Sequence, residues 1–275
     1  MSKFKGKAIY EPSGAAYEYS HWACNLFTGC NNRCDYCYNR HGISSALLGA
    51  EASTLKKSLG DPKKAFVIFE EELHKVKKLM KPDDSLFFSF VSDPMLQGNR
   101  DLSLACIELA LEQDVKVQVL TKCTDWVYVP HILDECVIFS DSIAFGFTLT
   151  GMDAMESNCA NNTAERLKAM QELKKYGFKV FASIEPVIDA DKAVRCIRKA
   201  KPYCDLFKIG LVSKMGIKFN KEQVTDFVEK VQFYVGNAVP IYWKRSIRDI
   251  VGDAYVDSWP NSVPSDYDIF KIQQP

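Results

Sequence analysis

The run Gly29-Cys30-Asn31-Asn32-Arg33-Cys34-Asp35-Tyr36-Cys37-Tyr38 carries more information than any other stretch of the 275-residue chain. Its C-x3-C-x2-C spacing offers three thiolates from one short loop. That is one fewer than closes a tetrahedral zinc site or a plain iron–sulfur cluster. A centre short of one protein ligand keeps a coordination position open, and open positions are where metals do chemistry. Cys24, a little upstream, leaves a closed four-thiolate zinc knot as the rival reading. Structural zinc more often uses paired C-x2-C knuckles separated by roughly a dozen residues or more, and no second knuckle follows. The remaining cysteines, Cys106, Cys123, Cys136, Cys159, Cys196 and Cys204, stand singly and mostly in apolar stretches, the usual setting of small buried hydrophobes.

Outward from this loop, apolar strand-like runs alternate with helix-like segments almost to the C-terminus. Residues 22–28 read as the first strand and deliver the cysteine loop at its end. Further strands are expected at 85–91, 115–120, 142–149, 178–184, 206–211 and 240–243. Between them, 65–80 carries Phe66, Phe69, Leu73, Val76, Leu79 and Met80 at helical spacing. Helices are likewise expected at 102–112, 126–136, 162–176 (stopped by Gly177), 190–200 and 222–234.

Strict β-α-β alternation with near-continuously apolar strands gives a parallel sheet. Six or seven such units suit an α/β fold of the incomplete (β/α)6–7 barrel kind, a partial TIM barrel; an open doubly wound sheet is the alternative. The first strand carries no G-x-G-x-x-G turn, which weakens a dinucleotide-binding reading. The expected organisation is an N-terminal segment at 1–20, a barrel over 21–245, and a C-terminal tail, 246–275, packing on the barrel.

In a barrel, functional groups gather at the C-terminal ends of the strands. The expected strand ends are polar: Ser92-Asp93-Pro94, Thr121-Lys122, Thr148 with Thr150, and Glu185-Pro186. Singly, each reads equally well as a cap for the next helix. Together, on the rim that holds the cysteines, they suit a zwitterionic ligand bearing a ribose and an adenine.

Composition is that of an ordinary globular protein, 47% hydrophobic and 25% charged. No stretch is apolar enough to span a bilayer, and no hydrophobic signal segment follows the start. Ten cysteines without such a signal point to the reducing cytosol. With 35 basic and 35 acidic residues the net charge is zero, so the whole-protein field of a non-specific nucleic-acid binder is missing. Local groups such as Lys56-Lys57, Lys63-Lys64, Lys75-Lys77-Lys78 and Arg195-Arg198-Lys199-Lys201 read either as a phosphate track or as solvated helix faces.

With Tyr36 directly before its third cysteine, the loop resembles the cluster loop of the radical S-adenosylmethionine (SAM) enzymes. A wider pattern, from about residue 10 to residue 188, resembles the spore photoproduct lyase-like group within them. It comprises Asn25-Leu26-Phe27-Thr28-Gly29-Cys30, Cys37-Tyr38, Ser92-Asp93, Thr121-Lys122 and Glu165-Arg166-Leu167. The resemblance implies a [4Fe–4S] cluster held by Cys30, Cys34 and Cys37, with SAM chelating the remaining iron and cleaved reductively to a 5′-deoxyadenosyl radical. It implies Ser92 and Asp93 near the methionyl amino group, and Lys122 and Arg166 on carboxylate or ribose oxygens. Thr148 would hydrogen-bond SAM, and the backbone around Tyr36 and Val187 would flank the adenine. It also implies an electron donor such as flavodoxin or ferredoxin. Its substrate leaning is towards nucleic acid, with a peptide or small metabolite as the alternative and a non-catalytic iron–sulfur or zinc-binding protein as the reading from another class.

One departure bears on substrate. Spore photoproduct lyases carry a hydrogen-donating cysteine two residues before the Ser-Asp pair, whereas this chain reads Phe88-Ser89-Phe90-Val91-Ser92-Asp93. Nothing like the long N-terminal extension of those lyases is expected before the loop. SAM cleavage is therefore expected without spore photoproduct repair. Candidates for radical or substrate chemistry are Tyr38, Cys123 and Lys244. Strand alternation turns Cys123 away from the side of Lys122. Lys244, in Tyr242-Trp243-Lys244-Arg245, stands either as an anion-binding group or as a cation over aromatic rings. His41 reads as a helix-start or surface histidine.

Overall fold

The computed structural model describes residues 3–41, 45–157, 159–264 and 267–270. In chain order its strands are β1 (Ile9–Tyr10), β2 (Trp22–Cys24), β3 (Phe27–Thr28), β4 (Thr54–Leu55), β5 (Ser85–Phe88), β6 (Lys116–Thr121), β7 (Ile143–Thr148), β8 (Lys179–Val187), β9 (Leu206–Leu211) and β10 (Ile241–Trp243). Eight of them form one sheet in the order β1-β2-β5-β6-β7-β8-β9-β10. Every pairing from β2 to β10 is parallel, while β1 runs antiparallel to β2. Edge strands β1 and β10 are not neighbours in the sheet, so it is a partial barrel rather than a closed one.

The helices are α1 (Ser45–Leu48), α2 (Pro62–Lys77), α3 (Arg100–Glu112), α4 (Pro130–Val137), α5 (Thr163–Lys175), α6 (Ala190–Ala200), α7 (Lys221–Val235), α8 (Arg245–Val251) and α9 (Asp253–Asp257). Their ends follow from local chemistry. Asp61 caps α2 through the Lys64 amide, with Pro62 opening the first turn. Reciprocal capping boxes, Asn162 with Glu165 and Asn220 with Gln223, start α5 and α7. Ala65, Phe69, Leu73 and Val76 form the buried stripe of α2, and Val224, Phe227, Val228, Val231 and Val235 that of α7. These stripes pack on the outer face of the sheet in the main core cluster. Among the described residues no helix is long and apolar enough to cross a membrane.

Three expectations change. The run 22–28 is not one strand: β2 stays in the main sheet and β3 leaves it to pair with β4. Asn25 makes the break, its Oδ1 accepting from the Phe90 amide and its Nδ2 donating to Tyr10 Oη. A continuously apolar run does not reveal such a change of partner. The strand expected at 85–91 stops at Phe88, and the one expected at 178–184 continues to Val187. Beyond residue 245 the chain is helical through α8 and α9, and its last described residues enter the barrel rather than only covering it.

Alternation along the strands sends every second side chain inward. Phe87, Ala144, Phe181, Leu206 and Tyr242 fill the interior together with Tyr19, Val263, Ile269 and Phe270. Beside them lies a buried polar floor. Asp268 accepts from Ser85 Oγ and Gln118 Nε2, and Lys208 Nζ donates to Gln118 Oε1 and to the Tyr19 carbonyl. Residues 18–20 tie the open edge together. Glu18 accepts from the Arg245 amide and Tyr242 Oη, and Ser20 Oγ donates to the Ser85 carbonyl.

Candidate functional site

At the C-terminal rim a cavity of about 440 Å³ opens above this floor. Cys30, Cys34 and Cys37 line it together with Tyr36, Tyr38, Ser92, Asp93, Lys122, Thr148 and Lys244. None of the three cysteines is in a disulfide. Gly29, at φ +73°, turns the chain into the loop, and a Cβ there would lie 2.2 Å from the Ala52 carbonyl. Burial pushes the Cys30 thiol up to about 12 and raises that of Cys34, and metal binding to a thiol releases its proton.

The loop is held from two sides. On one, Asp93 accepts Asn32 Nδ2 (2.8 Å) and the Lys122 amide (2.7 Å) at Oδ2, and Thr121 Oγ1 (2.6 Å) and the Met95 amide (3.0 Å) at Oδ1. A carboxylate has about four acceptor sites, and here all are in use. Asp93 therefore fastens the loop to the ends of β5 and β6. Ser92 Oγ is likewise engaged, by Ser53 Oγ and Asn99 Nδ2. On the other side the segment 155–157 runs along the loop. The Asp35 amide donates to the Met155 carbonyl, the Ser157 amide to the Asn32 carbonyl, and Ser157 Oγ to the Asn31 carbonyl. Between these, Glu156 accepts from Tyr36 Oη and from both terminal nitrogens of Arg166.

That ion pair explains why Arg166, expected on SAM, does not line the cavity. Its guanidinium is fully buried, bound to Glu156 and to the Thr148 carbonyl. Two other expected residues also lie outside the lining. Cys123 is buried with Sγ towards the Cys159 carbonyl, as strand alternation requires. Val187 ends β8 with its carbonyl taken by the Val212 amide. Lys122, by contrast, reaches the cavity with Nζ over the Tyr36 ring, 5.6 Å from its centroid. Burial alone would lower its pKa, but Cys34, Tyr36 and Glu156 outweigh burial and raise it.

On the opposite wall, sequence reasoning named Glu185 and Lys244 but missed Tyr19 and Ser183. Tyr19, from the N-terminal segment, lines the cavity with Ser183, Glu185 and Lys244. Ser183 Oγ lies 2.6 Å from Tyr19 Oη, which donates to Glu185 Oε2 at 2.8 Å. Lys244 Nζ donates to both Glu185 oxygens and stands 3.6 Å from Glu18. Its ammonium therefore meets two carboxylates of the chain itself and not an open anion site, a correction to one expected role. Phe90 packs against Phe87 and edge-on to Tyr19, while Tyr38, half-exposed, donates to the Phe90 carbonyl. The polar strand end at Glu185 was legible; the tyrosine that completes it carries no local signal.

The residues present fit an iron–sulfur cluster with a zwitterionic adenosyl ligand. Three unpaired thiols share the cavity with a lysine whose ammonium makes no hydrogen bond or ion pair among the described residues. Asn32, also in the lining, has a buried Oδ1 without a partner among the described residues. Among the described residues no three His, Cys, Asp or Glu side chains converge on one metal ion; a cubane cluster asks each cysteine for a separate iron.

Comparison with known proteins agrees on fold. A spore photoproduct lyase complexed with dinucleoside spore photoproduct superposes with a TM-score of 0.59 at 15% identity, over 82% of this chain and 76% of that one. The C140S mutant of a spore photoproduct lyase gives 0.62 at 14% identity with the same coverages. Streptococcus suis SuiB bound to S-adenosylmethionine gives 0.51 at 12% identity, over 78% of this chain and 44% of that one. No curated protein sequence matches. The family model for the radical SAM superfamily matches residues 24–191, more than half of the chain. The chain is thus an enzyme of the radical SAM superfamily, with a [4Fe–4S] cluster and SAM as its cofactors.

Proposed function

We propose that this enzyme uses Cys30, Cys34 and Cys37 to hold the cluster and the neighbouring strand ends to hold SAM, and that it acts on a compact substrate group entering from the rim. The observation that carries this is the sharing of one cavity by the three thiols and by Lys122, Thr148 and Ser92. When bound, the cluster and SAM supply a 5′-deoxyadenosyl radical. The chain's own residues supply position. Lys122 Nζ is free for the SAM carboxylate, Thr148 offers a hydroxyl, and Asp93 and Glu156 hold the cysteine loop still. Closure of the barrel's open edge by residues 18–20 shields the interior from water.

Radical SAM enzymes need a reductant, and a flavodoxin or ferredoxin is the proposed donor. For the substrate, nucleic acid finds support in the lyases complexed with dinucleoside spore photoproduct and in Arg33, Arg40 and Lys214 at the cavity mouth. Against it, the lysine and arginine clusters of α2 and α6 lie outside the cavity lining. Arg33 and Arg40 also share Glu51. The geometry therefore favours a peptide side chain or small metabolite. Phe90 has no S–H or O–H to give, so efficient spore photoproduct repair is not expected. The test is anaerobic reconstitution followed by low-temperature EPR and detection of 5′-deoxyadenosine after reduction with SAM. Stoichiometric zinc retained in place of iron, or no 5′-deoxyadenosine, refutes the proposal.

A further inference from the structure

We infer that the wall facing the cysteine loop binds a substrate amine, with Glu185 accepting a hydrogen bond from a protonated nitrogen. The inference rests on the proposed radical SAM site and names the chemistry of its substrate.

Three observations carry it. First, the wall is built around Glu185. Gly210 on the adjacent strand makes room, since a Cβ there would lie 2.9 Å from both Glu185 Oε1 and Lys244 Cδ. Second, the acceptor sites can be counted. Of the roughly four lone-pair sites of a carboxylate, Lys244 takes one on each oxygen and Tyr19 takes another on Oε2. Among the described residues one site remains on Oε1, and the Glu185 side chain is 25% exposed. A ligand that meets it must donate. Third, the local charge is negative. Lys244 serves Glu185 and Glu18 together, two carboxylates against one ammonium. Lys208, over the Tyr19 ring, has Asp268 as its own acidic neighbour, which offsets its charge in part.

The walls beside Glu185 are aromatic. Tyr19 and Phe90 meet edge to face with centroids 5.9 Å apart, and Tyr38 lines the same cavity. Ring faces and a carboxylate at one end of a cavity make an environment for an organic ammonium, whose charge both attract. A phosphodiester or carboxylate placed at Glu185 would meet two carboxylates, because Lys244, the lysine on this wall, is already bound to both.

The experiment is calorimetric titration of the cluster-loaded enzyme with SAM bound. The probes are phenethylamine, Nα-acetyllysine amide and the dinucleotide TpT, tested on wild type, Glu185→Gln and Glu185→Asp. Either amine should bind, and the lysine derivative leading over phenethylamine would point to a peptide rather than a small aromatic amine. Glu185→Gln should weaken amine binding about ten- to a hundredfold, the loss expected for a charge-assisted hydrogen bond. Glu185→Asp should restore part of it, and a retained circular dichroism spectrum and melting temperature separate this from misfolding. Absence of binding by either amine, tighter binding of TpT, or equal amine binding by wild type and Glu185→Gln overturns the inference. So does a Glu185→Gln variant that loses SAM affinity instead, which would make Glu185 a cofactor ligand. Failure of the cofactor proposal itself reads out separately, as no cluster signal.

Discussion

On one wall of the cavity the proposed cluster ligands come from a single loop, Cys30 to Cys37, pinned at both flanks. On the other, Tyr19 touches Glu185 across 166 residues of chain, and Lys244 arrives from the last strand. The first wall is dictated by short-range chemistry: a glycine turn, fixed thiolate spacing and adjacent strand ends. The second exists only once the barrel has formed and its open edge has been drawn together. The two walls should therefore fail differently. Loss of a cysteine from the first should remove the cofactor from an otherwise folded protein, whereas damage to the interior beside the second, or to the buried pair that braces the first, should change stability.

The largest effect lies on the cysteine wall. Replacement of Cys30, Cys34 or Cys37 by Ala should abolish the iron–sulfur EPR signal and chelatable iron, while circular dichroism stays native. Replacement of Cys24, Cys106 or Cys136 should leave iron content unchanged. Iron retained at wild-type levels in a Cys34→Ala protein would break the comparison at its base.

Next comes the pair that braces the loop. Arg166 and Glu156 have side chains 0% and 2% exposed. Removing one partner leaves a buried charge without its counter-ion, which typically costs about 3–5 kcal/mol. Arg166→Met should therefore lower stability in denaturant titration by that order and loosen iron binding as well. The double variant Arg166→Met/Glu156→Leu should recover much of the stability but not the grip on Tyr36. Equal stability in Arg166→Met and wild type would show that the pair contributes nothing.

What could be read in advance follows the same division. The partial barrel was legible because buried parallel strands and amphipathic helices each advertise themselves by periodicity. The proposed cluster loop stood out in the sequence because its three cysteines sit within one spacing pattern. Arg166 illustrates the limit: its place in a helix was clear, yet its partner, Glu156, lies in an irregular segment whose path no local pattern fixes. Asp93 illustrates another. As a polar strand end it was found, but its four donors come from three separate stretches of chain, so its bracing role needed the fold. The split of residues 22–28 into β2 and β3 and the entry of Asp268 into the barrel are tertiary decisions of the same kind.

The barrel floor offers a pH test. Burial lowers Lys208 from its ordinary 10.5 to about 8. Between those values the unfolded chain binds the proton and the folded chain does not, so stability should rise with pH across that window. The full difference corresponds to about 3 kcal/mol. In Lys208→Met this contribution disappears, so the wild-type minus variant stability curve should climb from about pH 8 and level off above about 10.5. A flat difference curve would mean that Lys208 has its ordinary pKa in the folded protein.

The smallest effect separates two neighbours on the cysteine wall, Asp93 and Lys122. Asp93 has every acceptor site filled by the chain, whereas Lys122 Nζ, over the Tyr36 ring, makes no hydrogen bond or ion pair among the described residues. The same rim therefore holds one group spent on structure and one left for a ligand. Asp93→Ala should loosen the loop and reduce iron occupancy before any effect on SAM is measurable. Lys122→Met keeps the side-chain stem, removes only the ammonium and should leave iron content intact. Its SAM affinity, measured by equilibrium dialysis on cluster-loaded protein, should fall about tenfold, the loss expected when one charge-assisted contact goes. If Lys122→Met bound SAM as wild type does and Asp93→Ala lost SAM while keeping its iron, the roles of the two residues would have to be exchanged.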